Sequence, residues 1–316
     1  MRIGLDIGGT KTDAVAVDDG GSIVERVRLV TGFGADAVIG TALDGVGRIA
    51  AATGHDVREF SSIGVGIPGQ VDTTSGIVSH AVNLGFDELD VGGRLSALLG
   101  REVKVENDVK AAALGAYRLM TSAGDPTAAA RSLAYLNLGT GLAAGLVIDG
   151  ELWRGARGAA GEIGHIPVDP AGVLCPCGQR GCLETVASGS AIAREWATDD
   201  PIPVLSLLAA ASGGDATAVR IRDRFVEGVA AAIRTLVLTV DVETVMIGGG
   251  LSNLGPWLLD DVRGVLASWA EESPFLASLG LDGRVLLVPA GFPVAAVGAA
   301  LVGAPLAPEV ERISHG

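Results

Sequence analysis

Basic residues are scarce in this chain. Its 316 residues include 23 Lys and Arg against 37 Asp and Glu, a formal charge of −14. Such a field repels nucleic acid and anionic lipid instead of collecting them, so any phosphate ligand is to be held locally. Cysteine is nearly absent, and the three present cannot all pair within one chain. No basic stretch and apolar core precede the strand-like run Ile3 to Ile7, so the expectation is a cytoplasmic chain without a secretion signal. Val285 to Pro308 carries no charge and is long enough to span a bilayer. Its four prolines, with Gly291, Gly298 and Gly303, break it into a short strand (Val285 to Val288), a turn and a small-residue helix from about Val294. The segment therefore reads as buried core and not as membrane.

Hydrophobic residues make up 48% and charged residues 19%, the composition of a folded protein, and the length suits about two domains. Sliding the chain over itself by 131 positions lays Asp6-Ile7-Gly8-Gly9-Thr10 on Asn137-Leu138-Gly139-Thr140-Gly141. In both copies an apolar run precedes the small residues and a second one follows, ending at Asp18-Asp19-Gly20 or Asp149-Gly150. Each half thus opens with a β-hairpin whose first turn leaves its backbone N–H groups open to a ligand, as a phosphate cradle requires.

Three/four spacing predicts a helix over Ala35 to Ala52, and others over Asp108 to Met120, Ser190 to Ala197, Val204 to Ala211 and Asp215 to Thr239. Strands are expected at Ser62 to Gly66, Glu102 to Val105, Thr244 to Ile247 and Arg284 to Val288. The fold class is therefore α/β, with two domains and a ligand cleft between them. The expected division is 1–117, completed by a C-terminal helix at about 297–316, and 118–296. The Ala, Gly, Pro and Ser-rich stretch Thr121 to Arg131 forms the linker.

All three cysteines lie in Cys175-Pro176-Cys177-Gly178-Gln179-Arg180-Gly181-Cys182. A tetrahedral Zn²⁺ site explains the cluster, with three thiolates and a nitrogen from His165 ten residues upstream. Four protein ligands leave no open position, so the metal is expected to be structural. The knot would fix Glu162 and Glu184 on either side of it, and such acceptors suit the hydroxyls of a polyol. Taken singly, each glutamate also reads as a solvated surface charge.

Val103 to Asp108 reads as a strand running into a helix, with Asn107 as its cap and Asp108 in its first turn. The helix dipole favours the ionised carboxylate, ready to take a proton from a hydroxyl that attacks phosphorus. The loops at Gly66 to Gly69 and Asn83 to Gly85 are candidates to line the same cleft, or are plain turns. Gly248-Gly249-Gly250, between a strand and a helix expected after Ser252, would let a nucleotide approach the backbone.

Together these motifs resemble the ROK family of sugar kinases, within the actin-like and hexokinase-like (ribonuclease H-like) ATPase superfamily. The resemblance runs end to end, and Gly161-Glu162-Ile163-Gly164-His165 with the cysteine cluster and Glu184 is its most specific part. It implies two actin-like domains and an ATP- and Mg²⁺-dependent transfer to a sugar 6-hydroxyl, glucose first, with Asp108 as general base. Gly69, Asn83, Asn107, Asp108, Glu162, His165 and Glu184 would meet the sugar, with His165 serving zinc through its other nitrogen. Asp6, Gly8, Gly9, Thr10, Lys11, Gly139, Thr140, Gly141, Gly249 and Gly250 would hold the nucleotide and face its metal.

The sequence departs from the resemblance at Val109-Lys110, where a small residue and an amide are more usual. Lys110, one of three lysines, reads as a solvent-facing helix residue. N-acetylated amino sugars, mannose and fructose share the hydroxyls these motifs bind and stay open as substrates. No basic track favours a polyphosphate donor. A sugar-sensing transcriptional regulator would need a DNA-binding module, for which the start of the phosphate loop at Asp6 leaves no room. Relatives and the general prior point to a homodimer or higher homo-oligomer.

Overall fold

The computed structural model describes residues 1–122 and 131–302. Residues 123–130 of the expected linker and 303–316 of the expected terminal helix lie outside the described residues. The chain divides into two compact units, Met1–Ser122 with Pro293–Gly316, and Ala123–Phe292.

The first unit opens with antiparallel strands β1 (Arg2–Ile7), β2 (Lys11–Val17) and β3 (Ile23–Val30), followed by helix α1 (Ala35–Thr53). Strand β4 (Ser62–Ile67) adds parallel to β1. Three short strands, β5 (Gln70–Asp72), β6 (Ile77–Ser79) and β7 (Glu88–Asp90), form a side sheet, and helix α2 (Val91–Leu99) leads to β8 (Val103–Asn107) and α3 (Asp108–Ser122). The main sheet has the order β3-β2-β1-β4-β8. β1 and β4 are apolar almost throughout because both of their faces are covered. Ile3, Leu5 and Ile7 share a core with the stripe Val38, Ile39, Ala42, Val46 and Ile49 of α1. Three/four spacing in the sequence sets out the same stripe with Leu43 as a sixth member, and Leu43 is only partly buried against this core.

In the second unit β9 (Ser132–Leu138), β10 (Leu142–Ile148) and β11 (Glu151–Leu152) repeat the antiparallel opening. Helices α4 (Gly189–Glu195), α5 (Pro203–Ser212) and α6 (Ala216–Val240) precede β12 (Thr244–Gly248), then α7 (Pro256–Glu272), α8 (Pro274–Leu279) and β13 (Val285–Leu287) complete the unit. The order β11-β10-β9-β12-β13 matches that of the first unit, strand for strand. The 131-residue repeat is thus a repeat of whole sheets. α6 starts where the Asp215 carboxylate accepts hydrogen bonds from the N–H groups of Thr217 and Ala218, both at 2.9 Å. No single helix among the described residues is long and apolar enough to cross a membrane.

The chain then returns to the first unit as α9 (Val294–Leu301). This helix docks on a bed of glycines. A Cβ on Gly4 or Gly64 would collide with the carbonyl oxygens of Ala296 or Ala299, one on Gly115 of α3 with Val294 O, and one on Gly298 with Ala111 O. Backbone thus lies on backbone, and no side chain fits between. In an ordinary helix interior Gly→Ala stabilises by up to about 1 kcal/mol. Here the sign reverses: Gly115→Ala or Gly298→Ala is expected to cost about 3 kcal/mol, the upper end of overpacking penalties. Gly264→Ala on α7, with open space around it, is the control that should not destabilise. Urea unfolding of the three variants checks this, and unchanged midpoints for the first two would contradict the close approach.

Candidate functional site

Strand β8 runs without a break into α3, and the junction holds Asn107 and Asp108. The Asn107 side-chain oxygen accepts from the N–H groups of Val109 (3.0 Å) and Lys110 (3.2 Å), capping the helix. Its amide donates to Gly69 O at 3.2 Å, which ties the loop after β4 to the helix start. Gly69 sits at φ 111°, where a Cβ would meet Ser79 O at 2.7 Å. Asp108, partly exposed, accepts from Val109 N at 2.9 Å.

The first hairpin tip, Gly8 to Lys11, closes with Gly8 N donating to Lys11 O at 2.9 Å, while Gly9 and Thr10 are exposed. Asn83 lies against it: a Cβ on Gly9 would be 3.3 Å from Asn83 O. Strand register sets Asp6 opposite Asp13, Asp13 opposite Arg28, and Gly66 beside Asp6. Burial, with the Asp108 and Asp13 charges, pushes the Asp6 carboxyl up to about 8, and Arg28 opposes the rise. Gly66, the strand partner of Asp6, has the Asp108 Cα 3.6 Å from where its Cβ would lie, so the two acids are near neighbours within this unit. Burial also acts to raise Asp13, but its bonds to Arg28 Nη2 (2.9 Å) and Arg26 Nε (3.0 Å) outweigh this and hold it below the usual range. A buried carboxyl such as Asp6, resisting ionisation beside two other acids, is the kind of group a divalent cation relieves.

The second unit assembles its own set. Gly139 N donates to Gly141 O at 3.1 Å. The segment before α4 runs along this tip, with Gly189 N on Gly139 O (2.8 Å) and Ser190 N on Thr140 O (3.1 Å). Gly249, at φ 82°, presses on the same tip: a Cβ there would be 2.6 Å from Leu138 O and 2.7 Å from Asn137 Oδ1. Gly250 begins a 3-10 turn (Gly250–Leu254) ahead of α7, so the helix expected after Ser252 starts at Pro256. Glu184 Oε2 accepts from Leu142 N at 2.9 Å. Exposed Glu162 precedes the 3-10 turn Ile163–His165, which is fastened to β10 through Ala144 N on Gly161 O at 2.7 Å.

One ligand atom from each of His165, Cys175, Cys177 and Cys182 lies within 4.8 Å of all the others. Cys177 Sγ and Cys182 Sγ are 3.6 Å apart, and Cys175 Sγ is 3.8 Å from His165 Nδ1. Four donors about 2.3 Å from one centre at tetrahedral angles lie about 3.8 Å from one another. The separations fit such a metal and not a disulfide. The Gln179 backbone N–H and side-chain amide pull the Cys177 thiol down to about 6. Desolvation and the neighbouring thiols push Cys182 up to about 12, so this thiol resists ionising until a cation sits beside it.

Two residues stand differently from the sequence reading. Lys110, expected to face solvent, is 7% exposed, because the whole turn Val109 to Ala113 is buried. Asp13 is an addition to the expected site. Its signal is the hairpin itself, since pairing Ile7 with Thr12 puts Asp13 opposite Asp6.

Comparison with known proteins agrees with this architecture. The family model described as "ROK family" matches residues 2–300. A glucokinase of Halalkalibacterium halodurans is 31% identical over 309 residues, 90% of this chain and 92% of that protein. The crystal structure of a ROK hexokinase from Thermus thermophilus superposes with a TM-score of 0.78 at 30% identity, covering 95% of this chain and 97% of that one. A ROK family glucokinase from Streptomyces griseus, in complex with glucose and AMPPNP, gives 0.74 at 31% identity with the same coverage of each chain. The class is the two-domain actin-like fold of the ATPase superfamily. Within it, the chain belongs to the ROK family.

Proposed function

We propose that this chain transfers the γ-phosphoryl group of ATP to the 6-hydroxyl of a hexose, with glucose the preferred acceptor. It is an ATP-dependent, glucokinase-like sugar kinase. The observation that carries the reading is the placement of Asp108 against Gly66, the strand partner of Asp6, with the Asp108 Cα 3.6 Å from where a Cβ on Gly66 would lie. This sets a proton acceptor beside the phosphate loop of the same unit.

Asp108 takes the 6-hydroxyl proton as that oxygen bonds to the γ-phosphorus and the bond to the β,γ-bridging oxygen breaks, releasing ADP. Asn107, pinned by Gly69 O, keeps the acid at the helix start. N–H groups around Gly8, Gly9, Thr10 and Lys11, and around Gly139, Thr140 and Gly141, grip phosphates, while Gly249 and Gly250 leave room for the nucleoside. Asp6 would face the Mg²⁺ that accompanies the nucleotide, a cation that would supply charge neutralisation for the phosphates. Asn83, Glu162, His165 and Glu184 match sugar hydroxyls. His165, Cys175, Cys177 and Cys182 would hold a Zn²⁺ ion with four protein ligands, which would serve as a structural tie. A cytoplasmic homo-oligomer belongs to the same reading.

Coupled ADP release over glucose, mannose, fructose, N-acetylglucosamine and N-acetylmannosamine tests it. Glucose is expected to give the strongest sugar-dependent rate, and a stronger N-acetylated substrate would move the assignment within the family. No sugar-dependent ADP from any of them would contradict the proposal.

A further inference from the structure

We propose that Glu184 has a second role, in which its carboxylate sets the second phosphate loop, so that one side chain joins sugar recognition to the grip on the nucleotide. The identity of the two ligands rests on the sugar-kinase reading above.

Glu184 sits in the 3-10 turn Leu183–Thr185, two residues after Cys182. That turn is fixed at both ends. Leu183 N donates to Ile166 O at 2.9 Å, and Ser188 Oγ donates to Glu184 O at 2.8 Å. From this base Oε2 reaches across 42 residues of sequence to accept the Leu142 N–H at 2.9 Å. Leu142 is the first residue of β10, directly after the loop Gly139 to Gly141. A Cβ on Gly141 would collide with the same Oε2, and one on Gly164 would lie 3.4 Å from Glu184 Cβ. Glycine at 141 is thus what lets the carboxylate close on the loop.

A carboxylate has two oxygens and about four lone-pair sites. Committing Oε2 to Leu142 N leaves Oε1 for a hydroxyl. A hydrogen bond to a charged acceptor is among the stronger ones, and losing it from a partly buried N–H frees the loop end. Whatever orders the carboxylate on one ligand favours the other by the same factor.

The test is calorimetric binding of AMPPNP with Mg²⁺, in the absence of sugar, to the zinc-loaded protein. Glu184→Ala is expected to raise the dissociation constant about tenfold. Glu184→Gln keeps an acceptor oxygen for Leu142 N and should stay within about threefold of wild type. Both variants should lose glucose affinity. Gly141→Ala, which displaces the carboxylate without deleting it, should weaken AMPPNP as Glu184→Ala does. Zinc content and melting temperature equal to wild type identify the folded variants. Glu184→Ala binding AMPPNP as tightly as wild type overturns the inference, and so does a Glu184→Gln variant as weak as Glu184→Ala. Wild-type protein that binds no AMPPNP would instead sink the kinase reading on which it stands.

Discussion

Asp108→Asn is expected to lower sugar-dependent ADP release by about 10³-fold, within the range that loss of a general base produces, while glucose binds within about threefold of wild type. The replacement is nearly the same shape. The hydrogen bond that Asp108 Oδ1 accepts from Val109 N remains available to the amide oxygen, and the Asn107 cap on Val109 and Lys110 is untouched. What disappears is the site that takes the proton while the oxygen attacks phosphorus. Steady-state turnover read together with calorimetric sugar binding separates the two effects. Unchanged turnover would remove Asp108 from the mechanism, and parallel loss of binding would make it a sugar anchor.

Zinc removal is the second large effect. Structural zinc contributes about 10–16 kcal/mol of apparent binding energy in small domains, and here it would tie together a segment otherwise ordered by turns and backbone hydrogen bonds, such as Cys175 N on Gln179 O and Gly181 N on Val173 O. Between His165 and Cys182 the chain has two isolated β-bridges, Pro167 with Cys182 and Leu174 with Arg180, and no helix or strand of its own. Carefully purified protein should carry one zinc per chain. Chelation should speed amide hydrogen exchange over 165–184 by at least about tenfold and weaken glucose, while exchange in α6 and in the β1–β4 sheet stays near the holo rate. Well under one zinc per chain, or unchanged exchange after chelation, would count against a metal at this cluster.

Much of this architecture is legible in the chain. The small residues at 8–10 and 139–141 announce two hairpins, and the stripe Val38 to Ile49 announces α1, because local periodicity follows burial. The side sheet is harder to see. Each of β5, β6 and β7 has three residues, too few for an alternation to show. α2 carries Gly92-Gly93 inside it, a pair that reads as a turn until Gly92 is seen pressed on Gly76. The bed under α9 is also hidden. Nothing local says that Gly4 must be bare for Ala296, since the reason lies 292 positions away along the chain.

The candidate site divides in the same manner. Glu162, His165, the cysteines and Glu184 stand out by spacing, but the bond from Leu142 N to Glu184 exists only once β10 has folded against the zinc turn. Lys110 departs from its sequence reading because a lysine in a helix is usually wet. Its helix begins inside the unit, beside Glu106 at 1% exposure. Two buried groups of opposite charge therefore flank the Asn107-Asp108 pair, a feature that depends on tertiary packing and not on helix pattern.

The most direct measurement is a crystal structure of the protein with glucose, AMPPNP and Mg²⁺. The account predicts an Asp108 carboxylate oxygen about 2.6–3.2 Å from the sugar 6-hydroxyl, with the terminal phosphates against the N–H groups of Gly9, Thr10, Gly139 and Thr140. A carboxylate turned away from that hydroxyl, or a triphosphate held elsewhere, would contradict it.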